Sequence, residues 1–355
     1  MMQRTTLVLT AVLLGLITFG RTELGIAATG IRIGQATPFA TLRADMKFPE
    51  GIAADADGQI YVSTFNVPSF IVKLGTGGKE LQRTSDLGTP LIGLAFNNGD
   101  LFAADFGNGR ILKFLNGNLA NAPMIYATLP CCTIVPGFPF PFLKTTAAPN
   151  ALVFDSGDLL VSDSFQGEIF RIPAGGCSGG GSACVTSVAK DAALATTGFP
   201  PFGANGLALR GGALYVANTG NDTVLRLPLD ASGKATSVDI WAQSINGADG
   251  IAFDAIGRLW VCANQGDELV VLEEINTNGM PVGSVLFKVG DFDGIVGQPG
   301  ARRPKGFLFP ASLVIVGRKV YITNLSLPLT PVVGDEIEEE VDLFTVVKVE
   351  GIPGL

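Results

Sequence analysis

Glu50, Asn150, Asn205 and Asp249 each stand immediately before a short apolar run: Gly51-Ile52-Ala53-Ala54, Ala151-Leu152-Val153-Phe154, Gly206-Leu207-Ala208-Leu209 and Gly250-Ile251-Ala252-Phe253. Asn and Asp are disfavoured in strands, and taken singly each would be a turn residue capping main-chain groups. Packing alone would not select four oxygen-bearing side chains for one register. Two carboxylates and two neutral amides make a hard-oxygen shell that, completed by water and a main-chain carbonyl, suits Ca2+. Another divalent cation such as Mg2+ fits less well, because it keeps more water and demands stricter geometry. Such a cation would polarise an ester or lactone carbonyl and stabilise the oxyanion. Asp249, or secondarily Glu50, is then the candidate base that draws a proton from attacking water.

Composition removes most rival chemistries. Among 355 residues there is no histidine, so Ser-His-Asp triads, Cys-His dyads and imidazole-held zinc are impossible. A net charge of −8 excludes nucleic acid as a partner. Five cysteines fit an oxidising compartment but lack the spacing of a zinc site. Cys177 and Cys184 bracket a flexible Ser/Gly stretch and are placed to close a small disulfide ring, whereas one of the adjacent Cys131 and Cys132 is expected to pair elsewhere. Cys262 lies inside the strand-like run Leu259-Trp260-Val261-Cys262 and reads as a core thiol.

A repeat positions the four oxygen donors. Each copy carries a polar or small residue, an apolar triplet, a turn and a second apolar run, as in Asn205-Gly206-Leu207-Ala208-Leu209, Gly211-Gly212, Leu214-Tyr215-Val216-Ala217-Asn218. Equivalent copies begin at Glu50, Ile92, Asn150, Asp249 and, in degenerate form, Ala311. Most continue into a second hairpin, such as Gly107-Asn108-Gly109 before Arg110-Ile111-Leu112-Lys113-Phe114. The first run of each copy is nearly all apolar and so buried on both faces, while the later run alternates apolar and charged residues. Units of about four strands each, repeated six times, predict an all-β, six-bladed β-propeller with a central metal site. Anchors that begin the innermost strands would all meet at the mouth of the central channel. Thr37-Pro38-Phe39-Ala40-Thr41-Leu42 is expected to supply an outer strand to the last blade beside Leu343–Val349, closing the ring. Asp105, Asp163, Asn218 and Asn324 follow the second runs and read as turn caps.

Arg4, the apolar run from Leu7 to Phe19 and small residues at Ala27 and Ala28 have the form of a secretory signal peptide over 1–28, too short for a spanning helix. Residues 29–355 are expected to form a single propeller domain: secreted or periplasmic, without a membrane span, and monomeric. The acidic stretch Asp335-Glu336-Ile337-Glu338-Glu339-Glu340 reads as a solvated loop. Asn221-Asp222-Thr223 and Asn324-Leu325-Ser326 fit glycosylation acceptors.

The chain resembles the senescence marker protein/gluconolactonase-like family, the regucalcin relatives, through Pro49-Glu50-Gly51, Pro149-Asn150, Asn205-Gly206-Leu207 and Asp249-Gly250 with Asp254 and Gly257-Arg258-Leu259 behind it. The resemblance implies a six-bladed propeller with a central divalent metal, with lactone-hydrolysing members among its relatives. It also implies that the matching Glu50, Asn150, Asn205 and Asp249 bind the metal and that Asp249 is a candidate base. Two departures narrow the chemistry. Sugar-lactone members carry an Arg two residues before the first metal Asn, where this chain has Ala148. The distantly similar paraoxonase-type lactonases share the metal shell but use histidines for proton transfer, as virginiamycin-lyase-like propellers also do.

Two insertions are rich in Phe and Pro. One contains Phe138, Phe140 and Phe142 before Asn150, and the other Phe199 and Phe202 before Asn205. Phenylalanines at stiffened loop tips are costly unless they pack together or against a ligand, so all five are candidate substrate-binding residues. The expected function is an exported metal-dependent hydrolase of a small lactone or ester with apolar character. The alternative is a non-catalytic, calcium-stabilised propeller serving as a ligand or protein-binding platform.

Overall fold

The computed structural model describes residues 34–132, 135–136, 143–144, 146–330 and 336–355, with backbone alone at 135–136 and 143–144. The signal-peptide reading of 1–28 and the candidates Phe138, Phe140 and Phe142 lie outside the described residues.

Six four-stranded antiparallel sheets follow one another along the chain. Their inner strands are Pro49–Ala54, Leu91–Asn97, Pro149–Asp155, Ala204–Arg210, Ala248–Phe253 and Pro310–Val316, defining blades 1 to 6. In blades 1 to 5 the chain steps outward strand by strand, as in Ala204–Arg210, Ala213–Asn218, Thr223–Pro228 and Asp239–Gln243 of blade 4. Blade 6 takes Lys319–Asn324 and Thr345–Glu350 and is completed by Thr37–Thr41 from the other end of the chain. The ring closes as the sequence predicts, through the pairing of Thr37 with Lys348 and Thr41 with Thr345. The insertion before blade 6 forms a hairpin of Phe292–Val296 and Arg303–Gly306.

Burial explains why the strands read differently along each blade. Second strands are almost wholly buried, as in Ile60–Thr64 and Leu259–Ala263, because they lie between neighbouring sheets on both faces. Fourth strands are the more exposed, as in Met124–Thr128, where Met124 and Ile125 are exposed and Tyr126 and Ala127 buried. Apolar clusters fill the space between adjacent blades; Phe102 packs edge-on against Phe154 at a centroid distance of 4.9 Å between blades 2 and 3.

The predicted turn caps are found in place. Asp105 accepts from Arg110 Nε at 2.6 Å and from the Asn108 main chain at 3.1 Å. Asp163 accepts from the Ala148, Phe165 and Gln166 main-chain N–H groups. Asn218 Nδ2 donates to the Ala193 and Ala195 carbonyls, and Asn324 Nδ2 to the Gly306 carbonyl. Asn324 is fully buried, which removes it as a glycosylation acceptor, while Asn221 is exposed. Cys177 and Cys184 form the expected disulfide and Cys262 is a buried free thiol. The expectation for Cys131 and Cys132 is corrected: they are bonded to each other.

Candidate metal centre

The same irregularity recurs at the start of all six inner strands. Pairing with the second strand lapses between Pro49 and Ile52, Leu91 and Leu94, Pro149 and Leu152, Ala204 and Leu207, Ala248 and Ile251, and Pro310 and Leu313. Each lapse falls on an anchor and the residue after it. A bulge of this kind re-aims a side chain out of the regular alternation, so the anchors are freed from the face that their neighbours on the strand obey.

The residue after the anchor sets how tightly the ring closes. A Cβ built on Gly51 would lie 2.3 Å from the Ile92 carbonyl oxygen, on Gly93 2.1 Å from that of Asn150, and on Gly206 2.2 Å from that of Asp249. Only glycine admits so close an approach of the next blade's backbone. Hydroxyls on the second strands also tie anchor carbonyls across blades, that of Ile92 among them. Ser63 Oγ donates to the Ile92 carbonyl at 2.7 Å, Ser162 Oγ to that of Asn205 at 2.7 Å and Thr323 Oγ1 to that of Glu50 at 2.6 Å.

The four polar anchors therefore converge. Glu50, Asn150, Asn205 and Asp249 are 6%, 4%, 5% and 4% exposed and line one cavity of about 40 Å3. That is space for a cation and a few waters. The two apolar anchors complete the ring: Ile92 also lines the cavity, and Ala311 is buried beside Phe309 and Leu325.

Three further polar residues orient the anchors, and the sequence reading passed over them. Asn150 Nδ2 donates to Ser164 Oγ at 2.9 Å, and that hydroxyl donates to the Ala204 carbonyl at 2.9 Å. Asn205 Nδ2 donates to Thr219 Oγ1 at 2.9 Å, and that hydroxyl donates to the Ala248 carbonyl at 2.8 Å. Asn264 Nδ2 donates to Asp249 Oδ2 at 3.1 Å. Asn264 fits because Gly247, at φ +67°, has no Cβ; one there would lie 1.8 Å from the Asn264 oxygen. A signal was available: Ser164, Thr219 and Asn264 each directly follow a second strand, the position held by Phe65, Phe106 and Leu325 in the other blades.

Glu50 Oε2 and Asp249 Oδ1 are buried and have no hydrogen-bond partner among the described residues. Burial, then the charge of Asp249, drives the Glu50 carboxyl well above the usual carboxylate range. Burial pushes Asp249 up to about 7, against the opposing pull of the Asn264 and Asn205 amides. Two carboxyls that share a buried cavity and leave oxygens unpartnered are what a divalent cation would neutralise and ligate. Among the described residues no three acidic, thiol or imidazole side chains cluster as a metal site, so the donor set rests on two carboxylates and two amide oxygens. Those donors fit Ca2+ by chemical type.

Of the loop phenylalanines, Phe202 lines the cavity and stacks on Phe165 and Phe106 at centroid distances of 5.4 and 6.1 Å. Phe199 is 52% exposed and stands outside that lining, although its neighbour Pro200 belongs to it.

Fold and site together define a six-bladed β-propeller with a ring of oxygen donors in a buried cavity. Its structural neighbours are regucalcin and gluconolactonase-family proteins. A luciferin-regenerating enzyme matches with a TM-score of 0.61 at 17% identity, covering 87% of this chain and 93% of that one. Regucalcin from Agrobacterium tumefaciens, a calcium-binding protein, matches with a TM-score of 0.57 at 16% identity over 91% and 96% of the two chains. A gluconolactonase from Xanthomonas campestris matches with a TM-score of 0.53 at 15% identity over 87% and 88%. At these identities the likeness shows the fold. No protein-family model and no curated protein matches the sequence.

Proposed function

We propose that the protein is an exported, calcium-dependent hydrolase of a lactone or ester with apolar character. The observation that carries this reading is the pair of buried, unpartnered carboxylate oxygens, Glu50 Oε2 and Asp249 Oδ1, on the cavity that Asn150 and Asn205 also line. Calcium, when bound, supplies a Lewis acid for a substrate carbonyl and its developing oxyanion. Glu50, Asn150, Asn205 and Asp249 hold it. Ser164 and Thr219 keep the two amide nitrogens engaged, so that the amide oxygens remain as donors. Asn264 holds Asp249 through Oδ2; Asp249 is the first candidate to take the proton of attacking water and Glu50 the second, through whichever carboxylate oxygen calcium would leave free. Phe202 and Pro200 cover part of the cavity with apolar surface, which excludes bulk water and favours a ligand of apolar character.

The test is a panel of aryl esters and aliphatic lactones assayed with calcium and with chelator, beside calorimetric titration of calcium. Turnover that chelator removes and calcium restores supports the proposal, and calcium binding without turnover of any panel member overturns the catalytic part. That second outcome is the platform reading, in which calcium plugs the ring; the small size of the cavity favours it.

A further inference from the structure

At its strand ends the mouth of the cavity has two unlike halves, and Pro200 and Phe202, from the insertion between blades 3 and 4, add apolar surface outside that division. The position directly after the second strand holds Ser164, Thr219 and Asn264 on the consecutive blades 3, 4 and 5, and Leu325, Phe65 and Phe106 on the consecutive blades 6, 1 and 2. The anchor position follows the same division in part, since its two apolar members, Ile92 and Ala311, fall on blades 2 and 6. The apolar half is extended by the segment that follows the second strand of blade 6. Leu325, Leu327 and Leu329 alternate along it, and all three line the cavity with Phe65, Ile92 and Phe309. Phe309, Leu325, Leu327 and Leu329 also pack as one cluster with Ala311. The segment is held in place at its far end, where the Glu336 carboxylate accepts the main-chain N–H groups of Leu329 and, at 2.7 Å, Thr330.

Resting on the hydrolase reading, we infer that Leu325, Leu327 and Leu329, with Phe65, Ile92 and Phe309, form a wall that seats the hydrocarbon tail of the substrate at the mouth, where Leu327 and Leu329 are half-buried, outside the space that a cation and a few waters fill. The carbonyl end then lies over blades 3 to 5, beside the amide and carboxylate oxygens. The substrate class is an alkyl- or aryl-substituted lactone or ester, and a sugar lactone is rejected. Aliphatic and aromatic side chains offer no partner to ring hydroxyls, so a polyol would bury its hydroxyls unpaired. Each methylene placed on the wall leaves water instead. The same division fixes orientation, because a tail over blades 3 to 5 would cover the Asn150 and Asn205 amide oxygens and the Asp249 carboxylate without pairing them.

The experiment uses the whole protein and a neutral apolar fluorophore, N-phenyl-1-naphthylamine, with and without calcium. The expected result is fluorescence enhancement that γ-decalactone displaces and glucono-1,5-lactone does not. Leu327→Asp, at a half-buried position, should weaken the fluorophore about tenfold or more. Leu327→Met should restore binding, and Ile240→Asp on an outer strand should leave it unaltered. In the hydrolysis assay, kcat/KM over a 4-nitrophenyl ester series should rise about threefold per added methylene up to the length of the wall. The inference is overturned if L327D binds the fluorophore like the parent, if the sugar lactone displaces it as well as γ-decalactone does, or if turnover is flat with tail length. Fluorophore displacement needs no turnover, so the wall can stand where the hydrolase reading fails. A flat ester series removes the wall and leaves the hydrolase.

Discussion

Asn205 and Thr219 fix one another's hydrogens. The Asn205 amide nitrogen donates to Thr219 Oγ1 at 2.9 Å, and the single proton of that hydroxyl goes to the Ala248 carbonyl at 2.8 Å. A hydroxyl whose proton is committed can only accept from its other neighbour, so the atom facing it must be the amide nitrogen. The Asn205 oxygen is thereby left for the cavity. Thr219→Val keeps the shape of the side chain and removes both links. It should lower calcium affinity by about tenfold or more, in line with the loss of a group that orients a ligand. Thr219→Ser should retain the parent affinity. Calorimetric titration of the three proteins checks this, and equal affinities would show that the clasp does not hold the amide.

The two acidic anchors make opposite demands with and without the cation. In chelator, Asp249→Asn removes a carboxyl that burial penalises, and the melting temperature should rise by on the order of 2 °C. In calcium the same variant loses a charged ligand, and the stabilisation by calcium should vanish. Glu50→Gln should behave alike, because its carboxyl is raised by burial and by Asp249. A crossing of the parent and variant melting curves as calcium is added is the expected readout. A variant destabilised equally under both conditions would remove the metal assignment.

The pH dependence has a definite sign. Asp249 stands at about 7 in the fold against an ordinary value of 3.8, and Glu50 is also raised. A raised acid contributes stability that is fully present below its unfolded value and is lost as pH rises through its folded value. Chelated protein should therefore lose stability as pH rises from about 4 towards 7 and beyond. Calcium binding needs both carboxylates ionised, so calcium affinity should rise over the same interval. Melting temperatures in chelator across pH, beside those of Asp249→Asn, check this; the variant should show the weaker slope.

The blades were legible because their signals are local. Glycine-centred turns between apolar runs mark hairpins, and the ring closure of Thr37–Thr41 against Thr345–Glu350 followed from a spare strand at each end. The four anchors were legible because they break strand chemistry at one shared register. Other features depend on pairing across the ring. The bulge at each anchor is a lapse of register with the second strand, which residue types do not encode. Ser164 and Thr219 resemble ordinary turn residues until the next blade's carbonyls are seen beside them. Leu325, Leu327 and Leu329 alternate like a strand, yet the segment runs on past the second strand of blade 6 and lines the cavity. The bond between Cys131 and Cys132 went against an expectation that one would reach elsewhere.

Gly93 separates the closeness of the ring from the chemistry of the anchors. It carries no side chain and follows the apolar anchor Ile92, yet a Cβ there would stand 2.1 Å from the Asn150 carbonyl oxygen and 3.0 Å from the Ala151 Cα. Both contacts are with backbone, so neither can swing aside. Gly93→Ala must part blades 2 and 3, and overpacking of this kind costs about 1–3 kcal/mol. Parting them also shifts Asn150, so calcium affinity should fall although no ligand has been changed. Gly211→Ala supplies the comparison: it sits in a hairpin turn at φ +58° with open space around the new Cβ, so its cost is backbone strain alone. Denaturant unfolding in chelator should show both variants destabilised, and calcium titration should single out Gly93→Ala. Parent-like affinity in Gly93→Ala would mean that blade spacing does not set the metal site, and that the bulges alone place the anchors.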